Sequence, residues 1–251
     1  MRLNVLCCEV FYREICSLIA TSPHQCDVAF MPKGLHDLGA EKMSARLQAC
    51  LDAVDPERYD AVAMVYGLCN NGTVGIKASG LKLVIPKVHD CISLFMGSRS
   101  RYREYFDAHP GTYYRTSGWL EREDASGAGE ATIPQQLGMT MSYQNLVDQY
   151  GEDNAKYVVE MMGGGEAHYD RLTFIRMGIE GEERFQKQAC KEAADKQWTF
   201  EVLKGDMSIL RKLIYGEWDD DFLVLEPGES LVPSYDEQVV KVDLPKHANI
   251  A

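Results

Sequence analysis

Cys7-Cys8-Glu9, Gly67-Leu68-Cys69-Asn70-Asn71-Gly72 and His89-Asp90-Cys91 hold the side chains best suited to chemistry in this chain. Each stretch follows a short apolar run of strand type. In open α/β sheets, ligands bind beyond the carboxyl ends of the strands. Soft donors at three such ends therefore read as one shared metal site. His89 and Cys91 are two residues apart, and side chains two apart in an extended segment point the same way. Zinc accepts an imidazole nitrogen and a thiolate together. The expected ligands are Cys8, Cys69, His89 and Cys91, and the expected ion is zinc. Cys7 and Cys8 face opposite sides of a strand, so Cys8, nearer the strand end, is the one placed in the set. Three cysteines at separate strand ends also suit an iron–sulfur cluster with one iron open to substrate. Histidine is the rarer cluster ligand, which tilts the choice toward zinc.

Other residues of the same edges have chemistry of their own. Glu9, beside Cys8, and His36, in Gly34-Leu35-His36-Asp37, are expected to handle protons, with Asp37 orienting the imidazole. The alternative is a helix start capped by Asp37. Asp90 reads as a helix N-cap and, between two expected ligands, as a further catalytic carboxylate. Gly67, Asn70 and Gly72 belong to a glycine-bearing loop whose backbone N–H groups can approach an anion. The loop matches neither a dinucleotide fingerprint nor a P-loop. Arg99 can clamp a carboxylate or phosphate with its planar fork, or serve as a helix-end charge. Tyr113, with Tyr114, Trp119 and Trp218, can wall a pocket or belong to ordinary core. Cys16, Cys50 and Cys190 sit on helix faces and read as small apolar fillers. Asp219-Asp220-Asp221 can hold a cation, but reads first as a solvated turn.

The elements that must position these residues alternate. Strands are expected over 3–8, 28–31, 60–66, 82–88, 112–116, 172–177, 199–203 and 222–225, with the fourth ending near Pro86. Helices are expected over 10–20, 41–54, from Asp90 toward Phe106, over 144–162, 180–196, and from Asp206 to Tyr215. This is the βαβα pattern of a Rossmann-like α/β fold: an open, mainly parallel sheet with helices on both faces. Residues 1–230 read as one α/β domain. It divides into halves 1–118 and 140–230 if a hinge or lid spans 119–139. Residues 231–251 read as a tail.

Bulk properties narrow the function. The 251 residues carry a net charge of −12, which argues against nucleic acid and against anionic membranes as partners. No apolar run approaches the roughly 20 residues of a membrane-spanning helix, and the start of the chain lacks the pattern of an export signal. The expected location is cytoplasmic. There the eight cysteines are thiols or metal ligands rather than disulfides.

The motifs Cys8-Glu9-Val10, Gly34-Leu35-His36-Asp37, Tyr66-Gly67-Leu68-Cys69, Val88-His89-Asp90-Cys91-Ile92, Gly97-Ser98-Arg99, Gly111-Thr112-Tyr113-Tyr114 and Trp218-Asp219-x-Asp221-Phe222 occur in this order. Together they resemble the family called domain of unknown function 1638, from about residue 1 to residue 230. The resemblance implies that Cys8, Cys69, His89 and Cys91 are family positions. It also implies an association with corrinoid methyltransferase systems. The expectation is a metal-dependent enzyme of one-carbon or methyl-group metabolism, acting on a small thiol or carboxylate. Zinc would hold a thiol as thiolate for methyl transfer. Two alternatives stand beside it. One is an iron–sulfur lyase, dehydratase or reductase. The other is a non-catalytic accessory protein that binds a corrinoid, a metal or a partner methyltransferase.

Overall fold

The computed structural model describes residues 1–122 and 169–243. β1 (Arg2–Cys8), β2 (Gln25–Met31), β3 (Ala61–Val65), β4 (Lys82–Pro86) and β8 (Phe222–Leu225) form one sheet in the order β2-β1-β3-β4-β8. The first four are parallel and β8 runs antiparallel to β4. β5 (Thr112–Arg115), β6 (Arg171–Arg176) and β7 (Thr199–Lys204) form a second, parallel sheet. The α-helices among the described residues are α1 (Tyr12–Ile19), α2 (Ala40–Asp52), α3 (Cys91–Met96), α4 (Arg99–Ala108), α5 (Ser117–Glu121), α6 (Glu182–Asp195) and α7 (Ser208–Tyr215). The expected open α/β architecture is the one observed.

The first sheet separates two cores because side chains alternate across it. Leu3, Val5 and Cys7 of β1 face a layer that contains α1, α3 and α7. Leu6, Val62, Met64 and Ile85 face α2 on the other side. Every residue of β3 is buried, as a central parallel strand covered on both faces requires. Phe11 stacks on Phe95 with ring centroids 4.3 Å apart. That contact ties the turn after β1 to α3, below the edge where the cysteines lie.

Two expectations about organisation change. Residues 231–242, expected as part of a tail, hold an antiparallel hairpin of β9 (Leu231–Pro233) and β10 (Val240–Val242). Leu231, Val239 and Val240 are buried in the α2-side core. A division into halves near residue 118 does not match the pairing either. β5 precedes that point yet pairs with β6, and β8 returns to the first sheet. Trp119 lies in α5. The rest of the hinge or lid expected over 119–139, beyond Arg122, and the helix expected over 144–162 lie outside the described residues.

Candidate functional site

The strand order places a crevice. Winding reverses between β1 and β3, since the chain leaves β1 toward β2 and returns to β3 on the other side. Loops that diverge at such a switch point leave room for a ligand. Cys8 ends β1. The β1–β3 register pairs Cys7 with Val65, so Cys8 and Tyr66 come next, one step further along the same edge.

Past β3 the chain runs beside the segment that follows β4. The Leu68 N–H donates to the Val88 carbonyl at 2.9 Å, and the Cys69 N–H donates to the His89 carbonyl at 2.8 Å. Gly67 permits this approach. A Cβ there would lie 2.8 Å from the Asp90 nitrogen and 2.9 Å from the Val88 oxygen. These bonds lay Cys69 against the turn that leads to Cys91. Cys69, Asn70 and Asn71 then adopt positive φ of 46°, 55° and 64° in succession. The left-handed region costs an ordinary L-residue about 1–2 kcal/mol, less for asparagine. The turn is closed by the Gly72 N–H donating to the Cys69 carbonyl at 2.9 Å.

Cys91 opens α3, and Asp90 is its N-cap. One Asp90 carboxylate oxygen accepts from the Ser93 N–H at 3.0 Å and from the Ser93 hydroxyl at 3.1 Å. The H-x-C pair is therefore not one extended segment, because Cys91 is already helical. His89 is exposed and lines a separate cleft, while Cys91 packs against the core with Cys8.

The three thiols act on one another. Burial pushes Cys8 up to about 11, with Glu9 adding to the rise and Lys33 opposing it. Burial pushes Cys69 up to about 12, reinforced by Cys8 and Asp90. Cys91 is raised well above the ordinary thiol range by burial, then by Cys69, Asp90 and Cys8. All three keep some solvent exposure, whereas Cys7 has none. All eight cysteines are free. At neutral pH the cluster is thus a set of neutral thiols, held so chiefly by burial. Among the described residues, no three His, Cys, Asp or Glu side chains stand together as an ion-holding group.

Residues 30–214 match the family model described as "Protein of unknown function (DUF1638)". The chain belongs to this family. No curated protein and no solved structure matches the chain. The matched span includes Cys69, His89 and Cys91. Cys8, Glu9 and the Trp218 motif fall outside it, although Cys8 shares the crevice with the DUF1638 residues.

A cleft of 1070 Å³ opens on the far side of the same loops, lined by Asn71, His89, Asp90, Arg99 and Tyr102 and by the β9–β10 hairpin. Asn71 and Asp90 belong to the loops that carry Cys69 and Cys91, so the cleft and the thiols share their walls. The Arg99 guanidinium donates to the Glu237 carbonyl, which holds the hairpin over α4.

The remaining expected residues fall in different places. Glu9 stays beside Cys8 and accepts the Lys33 N–H at 2.8 Å, tying the turn after β1 to the turn after β2. His36 lies in the short 3-10 segment Lys33–Leu38, and its side chain lies outside the description. Asn70 is exposed at the tip of the left-handed turn. Gly72 sits against Met43, whose sulfur would be 2.2 Å from an added Cβ. Gly67 and Gly72 therefore serve close packing. Tyr113 does not reach the thiols. It packs beside Trp198, with ring centroids 5.6 Å apart, in the core of the second sheet. Its neighbour Tyr114 faces the other way, with a ring 6.1 Å from Tyr102, and Tyr102 in turn lies against Asp90. Cys190 is exposed rather than core. In the acidic triplet, Lys212 bonds Asp219 at 2.6 Å and Asp221 at 3.1 Å. Tyr66 and Tyr102 were not signalled by spacing, because each reads locally as core.

Proposed function

We propose that this chain is a metal-dependent protein of thiol or methyl-group chemistry, with Cys8, Cys69 and Cys91 as a soft-metal site. The observation behind this reading is the gathering of three free thiols at a topological switch point, each from a different strand end. A soft divalent ion offsets the cost of burying charge that now keeps these thiols protonated, and thiolate is the form that coordinates. Loading must draw the sulfurs closer than they stand as neutral thiols. A bound zinc ion would supply Lewis acidity, holding a substrate thiol as its thiolate at neutral pH.

The chain's own residues give that site its surroundings. Partial burial limits the access of water to the sulfurs. Asp90 fixes the first turn of α3 and with it Cys91. The paired segments 68–69 and 88–89 hold Cys69 to the same turn. The adjoining cleft offers a small substrate polar walls, with Asn71 and Asp90 at the boundary. A role in corrinoid-linked methyl transfer rests on the resemblance noted above. The net charge of −12 favours a small-molecule substrate over nucleic acid.

A second reading is favoured by one observation. His89 turns to the cleft, so the inner set is three thiols without an imidazole. This matches the protein ligands of an iron–sulfur cluster with one open iron. Purification without oxygen, followed by metal and acid-labile sulfide analysis, separates the two. The leading reading expects about one zinc per chain without sulfide. Iron with sulfide would establish the second. Neither element, with no uptake on adding zinc or ferrous iron and sulfide, would overturn both.

A further inference from the structure

The cleft of 1070 Å³ beside the thiol loops has one wall from α3 and α4 and another from the β9–β10 hairpin. Among the described residues, five large apolar side chains are exposed, and two of them, Phe106 and Tyr235, line this cleft. Phe106 comes from α4 and is 45% exposed, and Tyr235 comes from the hairpin tip and is 99% exposed. Tyr102 lies beside Phe106, with ring centroids 6.1 Å apart. Tyr235 has no ring partner among the described residues. Exposed apolar surface gathered in one concave place marks a binding site rather than chance scatter.

The tip that presents Tyr235 is held in place. The Arg99 guanidinium donates to the Glu237 carbonyl, and the Lys87 ammonium donates to the Gln238 side-chain carbonyl at 2.6 Å. Asp236 closes the turn, accepting from the Ser234 hydroxyl at 2.7 Å and from the Gln238 N–H at 2.8 Å. Val239 then takes a φ of +64°, a region that β-branched residues rarely enter. Such strain persists only where the surroundings enforce it, and it gathers at ligand clamps. Here the burial of Val239 in the α2-side core enforces it. Fixed backbone around a ring left in water suits a wall that a flat ligand completes.

Charge in the cleft is uneven once its internal pairs are set aside. Asp90 caps α3, Asp221 pairs with Lys212, and Arg103 pairs with Asp107 at 3.8 Å. Glu237 is exposed at the tip. Arg99 forms no ion pair among the described residues. Its guanidinium has five N–H donors, and one serves the Glu237 carbonyl. His89 is exposed in the same cleft, and its ring can donate in either protonation state. These remaining donors suit an anion.

We propose that the cleft binds a small ligand with a flat ring and an anionic group. The ring stacks on Tyr235 and Phe106, and the anion takes Arg99 and His89. The proposal rests on the reading above for the cleft being the substrate site, and on the cleft alone for binding, which needs no metal.

Isothermal titration calorimetry of the full, metal-free chain with indole-3-acetate and with AMP tests this. The two probes separate a carboxylate from a phosphate as the anion. At least one is expected to bind with a Kd below about 1 mM. Tyr235→Ala is expected to weaken it about tenfold, the loss of one stacking partner, and Tyr235→Trp to restore it. Since Tyr235 lies in water, neither change should disturb folding. Arg99→Gln is expected to weaken binding about tenfold or more through the loss of a charged hydrogen bond. Tryptamine, which keeps the ring and replaces the anion by a cation, is expected not to bind. Absence of binding by both probes, equal affinity in wild type and Tyr235→Ala, or tryptamine binding as tightly as indole-3-acetate would each overturn the proposal. Zinc uptake is measured on the same preparations. Normal uptake without probe binding sinks the cleft proposal and leaves the metal reading standing, and probe binding without uptake does the reverse.

Discussion

Replacing Glu14 with glutamine is expected to change how stability depends on pH more than any other single substitution in this chain. Glu14 lies on α1 facing the core, fully buried, and neither carboxyl oxygen has a hydrogen-bond partner among the described residues. Burial pushes it up to about 8, with Glu182 and Glu121 adding to the rise and Arg13 opposing it. In the unfolded chain it ionises near the ordinary value of about 4.3. Below that pH both states hold the proton, and the contribution of this group to stability is complete. From there to about pH 8 the unfolded chain releases a proton that the folded chain keeps, so stability falls. Above pH 8 the loss is constant, on the order of 4–5 kcal/mol. The glutamine side chain cannot ionise, so the Glu14→Gln variant lacks this dependence. Urea unfolding at pH 5 and pH 8.5 should show the variant gaining several kcal/mol on wild type between the two conditions. Any fixed cost of the buried amide appears equally at both. Parallel curves would mean that Glu14 is ionised or solvated in the folded protein.

Gly67→Ala is expected to pull the candidate site apart. The added methyl would meet backbone atoms of Val88 and Asp90 at 2.8 to 3.0 Å, and backbone cannot rotate aside as a side chain can. Relief requires the two segments to separate, which breaks the bonds from Leu68 to Val88 and from Cys69 to His89. Overpacking costs about 1–3 kcal/mol and each of the two lost bonds about 0.5–1.5 kcal/mol, so a total loss of about 2–6 kcal/mol is expected. Gly75→Ala is the contrast. It has open space around it but a φ of +81°, so it should lose only about 1 kcal/mol of backbone strain. Denaturant midpoints with zinc uptake measured alongside will show whether Gly67→Ala loses the metal and Gly75→Ala keeps it. Equal uptake in both would mean that the 67–90 contact does not set the thiol positions.

Much of this arrangement is legible in the sequence, and the illegible parts share a physical cause. Apolar runs, Pro86 and the Asp90 cap mark where strands end and α3 begins, so Cys8, Cys69 and Cys91 fall on one sheet edge by local signals alone. The H-x-C pair misleads because the same Asp90 that caps α3 makes Cys91 helical, which ends the two-residue periodicity that would align it with His89. The β9–β10 hairpin escapes because its strands are three residues each, too short for an alternation pattern, and its place is set by pairing and burial distant in sequence. Telling Tyr114 from Tyr113 required the register of β5 on β6, where Tyr113 pairs with Leu172. Glu14 escapes because a carboxylate on a helix is expected to face water.

The central claim is that Cys8, Cys69 and Cys91 bind one soft ion together. X-ray absorption at the zinc edge of the zinc-loaded protein tests this most directly, because it counts sulfur neighbours. The account predicts three sulfurs at about 2.3 Å, falling to two in Cys91→Ser protein. A zinc environment of nitrogen and oxygen alone, or one unchanged by the Cys91 substitution, would contradict it.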